Sequence, residues 1–184
     1  LDEGLIGDVR MVQADFGFRA GVNPEARLFN PALGGGGLLD VGVYTVSFAS
    51  MVFERSPDRV TGLAEMGETG VDEQAGIVLR YDQGQVSTLY TSIRVDSPAE
   101  VILMGTKGQI RLHPSWIRPN KLTLSVAGRE PATIEMPYEG NGYQFEASEV
   151  MDCLRANRLE SDLMPLDETL SIMQTMDAIR AQWG

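Results

Sequence analysis

Residues 75–95 read AGIVLRYDQGQVSTLYTSIRV, two β-rich runs on either side of Asp82-Gln83-Gly84. Branched and aromatic side chains dominate both runs, and a glycine at 84 supplies the positive φ that a tight turn needs. In the second run Thr88, Tyr90 and Ser92 stand against Val86, Leu89 and Ile93, an alternation that suits a sheet with one face on helices. The same texture continues outward, through VTGLAEM before the pair and AEVILMG, QIRL, KLTLSV and ATIEM after it, with Thr106-Lys107-Gly108 as a second glycine turn. This is a meander of short strands.

Upstream, residues 8–18 (DVRMVQADFGF) place Val12, Ala14, Phe16 and Phe18 on one face and Val9, Met11, Gln13 and Asp15 on the other, which predicts a first strand. Residues 19–37, with Pro24, Pro31 and a run of glycines, form a long loop of the kind usually kept for function. From Leu38 to about Glu54 the spacing of Val41, Thr45, Phe48 and Val52 predicts a helix, ended by Ser56-Pro57. Downstream, Asn141 and Gln144 resemble a capping box ahead of an apolar stripe of Tyr143, Ala147, Val150 and Leu154. Asp167 can cap a last helix that carries Ile172, Met176, Ile179 and Trp183 on one face. The string predicts an α+β fold: an open, mainly antiparallel β-sheet with helices packed on one face, as a single domain over residues 1–184.

The chain has 15 basic and 26 acidic residues, a net charge of −11 that repels phosphate backbones and anionic lipid. Nucleic acid and membrane are not expected partners. No run of membrane-spanning length and no signal-peptide pattern stand out, so a cytoplasmic protein is expected. One cysteine, Cys153, and one histidine, His113, offer neither an internal disulfide nor a zinc cluster, and no metal site is expected. Starting at Leu1 without methionine, at what reads as the end of one element and the start of a strand, the chain is expected to be part of something longer.

The chemistry to weigh lies in GGGGLLDVGVY, residues 34–44. On a regular helix Asp40 and Tyr44 share one face just after a glycine loop. A tyrosine there is also a common packing residue, and GGGG lacks the preceding strand and the G-x-G-x-x-G spacing of a dinucleotide fingerprint. Phe18, Trp116 and Tyr143 each lie where an element meets a loop, which is where pockets are walled.

Three separated segments carry a family resemblance: RLFNPALGGGGLLDVGVYTVSF at 27–48, GTKGQI at 105–110, and residues 140–184 from GNGYQFEASEV onward. Together they resemble the C-terminal domain of Gfo/Idh/MocA (glucose-fructose oxidoreductase-like) enzymes, a glyceraldehyde-3-phosphate dehydrogenase-like domain. The similarity is greatest to the branch holding dimeric dihydrodiol dehydrogenase and NADP-dependent D-xylose dehydrogenase. It implies an NAD(P)-dependent oxidoreductase that transfers hydride between nicotinamide and a sugar or cyclic diol carbinol. NADP or NAD would be held mainly by an N-terminal Rossmann domain that this chain does not contain, and that domain would also bring a catalytic lysine. The isolated chain would then be inactive.

Residue by residue, the resemblance puts Asp40 on a substrate hydroxyl and Tyr44 in the acid/base role, where many relatives have histidine. A free tyrosine titrates near ~10, so a neighbouring cation is needed for it to act as a base near neutrality. Phe18, Asn30, Trp116 and Tyr143 would line the substrate pocket, and Gly36 and Gly37 would border the cofactor. A homodimer or larger assembly through the sheet face is implied as well. The rivals are a non-catalytic module for dimerisation or small-ligand binding, and an NAD-dependent glycosidase.

Overall fold

Alternating side chains build β1 (Val9–Gly17), and seven further strands join it in one sheet. They are β2 (Arg59–Met66), β3 (Asp72–Arg80), β4 (Val86–Ser92), β5 (Val101–Gly105), β6 (Gly108–Leu112), β7 (Lys121–Val126) and β8 (Ala132–Glu135). The computed structural model describes residues 1–183. The strand order is β2-β3-β4-β1-β5-β6-β7-β8, in which β1 is parallel to β4 and every other neighbouring pair is antiparallel. The single parallel pair follows from the path of the chain, which leaves β1 through a long crossover and returns to its side by way of β2 and β3.

The crossover ends in α1 (Val43–Phe53), and α2 (Tyr143–Arg155) and α3 (Leu166–Arg180) follow the sheet. Helices α1 and α3 touch and cover one face of the β1–β4 half. Between them lies the core: Val12 and Ala14 of β1, Ile77 and Leu79 of β3 and Leu89 of β4 pack with Leu38, Val46, Phe53, Ile172, Met176 and Ile179. Each large side chain so buried contributes about 1.5–3 kcal/mol of transfer free energy. The other face of the sheet stays open, with Gln13, Thr61, Gln74 and Tyr90 on it and Leu63 85% exposed.

Several sequence expectations need correcting. In β4 the core side is Ser87, Leu89 and Thr91, so Val86 lies with Thr88 and Tyr90 on the open face. In β1 a register shift between Val9 and Met11 swings Val9 onto the core, because a bulge reverses the alternation. Glu160, rather than Asp167, accepts the Leu166 N–H at the start of α3 (2.7 Å). Asn141 accepts the Tyr143 N–H and Gln144 the Gly142 N–H, a pattern other than the reciprocal box, and the N-cap of α2 is Gly142.

The apolar stripe of α2 is not packed: Tyr143 is 68% exposed, Val150 and Leu154 are exposed too, and only Cys153 of that helix is buried. Helix α2 turns its other side, with Glu149, toward Ser161 and Arg158. By length and composition Pro31–Phe53 does match a membrane-spanning helix, with a mean hydropathy of 1.4. Its apolar residues pack on the sheet, and short 3₁₀ turns and the glycine loop interrupt it.

Candidate active site

The segment between β1 and α1 is organised by its own backbone. Two 3₁₀ turns, Arg27–Phe29 and Pro31–Leu33, precede the glycines. The Asn30 side chain accepts the Ala32 N–H (2.9 Å), and its carbonyl accepts the Gly35 N–H (3.0 Å). The Gly36 N–H reaches back to the Leu28 carbonyl (2.9 Å). Asn30 therefore holds the loop together.

Gly36 has φ 115°, and a Cβ there would meet Asp72 Oδ1 at 2.3 Å. Gly37 lies over the same carboxylate, with an added Cβ 3.3 Å from Oδ2. Both glycines are buried. A phosphate brought to this side of the loop would face the Asp72 carboxylate, so Gly36 and Gly37 do not suit a dinucleotide's phosphates. Their smallness serves the approach of Asp72.

Residues Leu38–Gly42 form a π-helical turn that leads into α1. Asp40 lies within this wider i→i+5 coil and Tyr44 in the first turn of α1, and the two side chains have different partners. Asp40 forms an ion pair with Arg27 of the first 3₁₀ turn and is half-buried. Tyr44 points elsewhere, into a groove of about 710 Å³.

Three chain segments make that groove. Helix α1 gives Tyr44, the β6–β7 connection gives Ile117, Arg118 and Pro119, and the stretch from β8 into α2 gives Met136, Pro137, Tyr138, Tyr143 and Phe145. Phe16 of β1 stands edge-on to Tyr44, ring centroids 5.5 Å apart at 71°, and Tyr138 meets Phe145 in the same manner at 5.5 Å. Such pairs fix ring orientation as well as burying area. Arg118 is the one cation among the described residues lining the groove, and Glu146 the one anion.

Of the residues singled out by sequence, Tyr44 and Tyr143 meet here. Phe18 lies instead in a satellite cluster with Phe29, Val41, Val71 and Ile93. Trp116 is 6% exposed, donates from Nε1 to the Asp15 carbonyl (2.8 Å) and stacks edge-on with Phe48. It borders a smaller pocket of about 150 Å³ that shares Ile117 and Arg118 with the groove. Phe16, Arg118, Tyr138 and Phe145 were not singled out by sequence. The signal for Tyr138 was present in Pro137-Tyr138-Glu139-Gly140, an aromatic held between turn residues.

The fold and this helix-borne tyrosine define a class: the chain belongs to the GFO/IDH/MocA C-terminal domain family, whose profile matches residues 1–111. Trans-1,2-dihydrobenzene-1,2-diol dehydrogenase of Mus musculus is 33% identical over 190 residues, covering 100% of this chain and 56% of the relative. The Xenopus laevis enzyme of that name is 36% identical over 192 residues, covering 100% and 57%. Aldose-aldose oxidoreductase from Caulobacter crescentus, complexed with glycerol, has the same fold, with a TM-score of 0.84 at 22% identity over 98% of this chain and 55% of that one. A 3-ketoreductase from Actinomadura kijaniata in complex with NADP and TDP-benzene gives 0.81 at 19% identity, over 99% and 56%. The chain thus spans little more than half the length of these curated relatives and solved structures.

Proposed function

We propose that this chain is the substrate-binding part of an NAD(P)-dependent oxidoreductase acting on a carbinol carbon of a sugar or cyclic diol. Membership of the family supports the reaction class, and the dihydrodiol dehydrogenase relatives support the kind of substrate. One observation carries the reading to residues: Tyr44 lines an aromatic groove large enough for a sugar ring, with Phe16 holding its ring from the side.

In this reading nicotinamide, bound mainly by a part of the protein outside this chain, supplies the hydride acceptor. Tyr44 takes the substrate hydroxyl proton on its Oη in the oxidative direction and returns it in the reductive one. Tyr138, Tyr143 and Phe145 offer apolar faces to the ring carbons and exclude water from the reacting bond. Arg118 brings the one positive charge among the described residues of the groove lining. Asp40, paired with Arg27, orders the turn ahead of Tyr44.

The open face of the sheet supports a second element of the proposal, self-association. Leu63, Val78, Met11 and Tyr90 are exposed across β2, β3, β1 and β4, an apolar area interspersed with polar side chains as interfaces are. Sedimentation of the full-length protein and of Leu63→Glu tests it, with a dimer expected for the first and a weakened one for the second.

The main test is turnover by the full-length protein of pentoses, hexoses and cyclic trans-diols with NADP or NAD, compared with Tyr44→Phe. Turnover of one of these substrates with net nicotinamide reduction, lost in the variant, is the expected result. Release of free sugar without net reduction would point to a glycosidase, and equal turnover by the variant would overturn the role of Tyr44.

A further inference from the structure

Asp72 begins β3, far from Tyr44 in sequence, yet it touches the segment that delivers Tyr44 to the groove. Its side chain is 5% exposed, and Oδ2 accepts the Leu38 N–H at 2.6 Å. Among the described residues no Lys, Arg or His lies within ion-pair distance of it, a rare condition for a buried acid. Oδ1 lies where Gly36 would otherwise carry a Cβ. A buried carboxylate and a glycine at positive φ are thus fitted to each other across the sheet–helix boundary.

Leu38 is the link between them and the catalytic helix. Its N–H is one of the groups that the first turn of a helix leaves without a partner, and the buried Leu38 backbone has no access to water to satisfy it. Its carbonyl accepts the Val43 N–H, which closes the π turn immediately before Tyr44. The Leu38 side chain, wholly buried, packs against Gly42, where a Cβ would lie 2.7 Å from its Cδ1. Displacing Leu38 therefore moves the base of α1.

We propose that Asp72 is a positioning residue for the Tyr44 site, its buried carboxylate accepting the Leu38 N–H so that the π turn presents Tyr44 to the groove at a fixed place. The proposal rests on the reading of Tyr44 as the acid/base given above. Positioning errors of about 1 Å are enough to cost on the order of 10²-fold in rate, so a turn left to find another partner for one N–H is enough to matter. What the site needs from Asp72 is an acceptor oxygen, which the amide of asparagine also offers.

The experiment compares Asp72→Ala and Asp72→Asn in the full-length protein, using whichever sugar or diol it turns over. Asp72→Ala should lower kcat per folded enzyme at least tenfold with the KM for nicotinamide within twofold of the parent, and Asp72→Asn should return kcat to within about threefold. A merely structural role would lower the melting temperature of Asp72→Ala and leave kcat per folded enzyme unchanged, which overturns the proposal. Should the alanine variant not fold, hydrogen exchange decides: a Leu38 amide as protected as those of β4 in the parent supports the contact, and rapid exchange there overturns it. The two failures separate, because a fully active Tyr44→Phe removes the Tyr44 reading and the positioning role with it. An inactive Tyr44→Phe beside an Asp72→Ala of parental kcat removes the positioning role alone.

Discussion

Phe16 of β1 stands edge-on to Tyr44 of α1, ring centroids 5.5 Å apart and planes at 71°. A phenylalanine at 44 keeps this ring–ring contact and loses only the hydroxyl, so the pair separates packing from chemistry. Tyr44 is 46% exposed. Tyr44→Phe should therefore leave stability within about 0.5 kcal/mol, as surface substitutions usually do. Turnover should fall by about 10²-fold or more, the range for loss of a general acid/base. Chemical denaturation and steady-state kinetics on the same sample check both halves, and a variant that loses stability but not kcat would return Tyr44 to a packing role.

The Arg27–Asp40 pair invites a double-mutant cycle. Arg27 is more than half exposed and Asp40 largely covered, a setting in which a single pair contributes at most about 1 kcal/mol. Arg27→Ala, Asp40→Asn and the double variant should show a coupling energy of that size in urea denaturation. If Asp40 orders the turn through Arg27, either single variant should lower kcat to a similar extent and the double variant little further. Independent, additive losses would show that Asp40 acts on substrate by itself.

The strands were legible because each hairpin announces itself twice, by alternation in AGIVLRY and by glycine in Asp82-Gln83-Gly84. The phase of β4 was not, since Ser87 and Thr91 face the core and Val86 does not, a reversal that polarity alone conceals. Tyr44 could be found from its place after the glycines, but the partner of Asp40 could not, because Arg27 lies 13 residues away in a separate 3₁₀ turn. Asp72 was beyond reach for another reason. Its partner Leu38 lies 34 residues away, and burial of an acid against a glycine loop is a tertiary event with no periodic trace. The stripe of α2 was read correctly as apolar and wrongly as packed, since pattern reports the wish to be covered and not the cover.

Trp116 offers a direct comparison between core and pocket. Its Nε1–H to the Asp15 carbonyl and its edge contact with Phe48 tie the β6–β7 connection to β1 and α1. Trp116→Ala should destabilise the protein by about 3–5 kcal/mol, the usual range for a buried aromatic. Trp116→Phe keeps most of the packing and loses the hydrogen bond, leaving a buried carbonyl to find another donor, for about 1 kcal/mol. Equilibrium denaturation distinguishes this from a substrate-wall role, in which both variants would raise KM and leave stability alone.

The pH dependence of stability should carry the signature of Asp72. Burial pushes its carboxyl up to about 6 from 3.8, against the opposing pull of the Leu38 N–H, its own N–H, the positive charge of Arg180 and the Gly37 N–H. Its charged surroundings are Arg180 and Asp177 of α3 and Glu73 beside it in β3, the last paired to Arg94; the glycine loop brings no charge. A carboxyl raised on folding binds its proton more tightly in the native state, so this group lowers stability as pH rises from ~4 to ~6, by up to about 3 kcal/mol, and the loss persists above that window. Other carboxylates work in the opposite sense: Asp58, held low chiefly by its hydrogen bond to Arg80, gives stability that is lost as pH falls. The whole-protein curve mixes the two, and the difference between parent and Asp72→Asn isolates one. Asparagine keeps an acceptor for Leu38 and cannot ionise, so the variant should gain on the parent steadily between pH 4 and 6 and hold that advantage at neutrality. Parallel stability curves for the two proteins over pH 4–8 would mean that Asp72 is not desolvated by the fold.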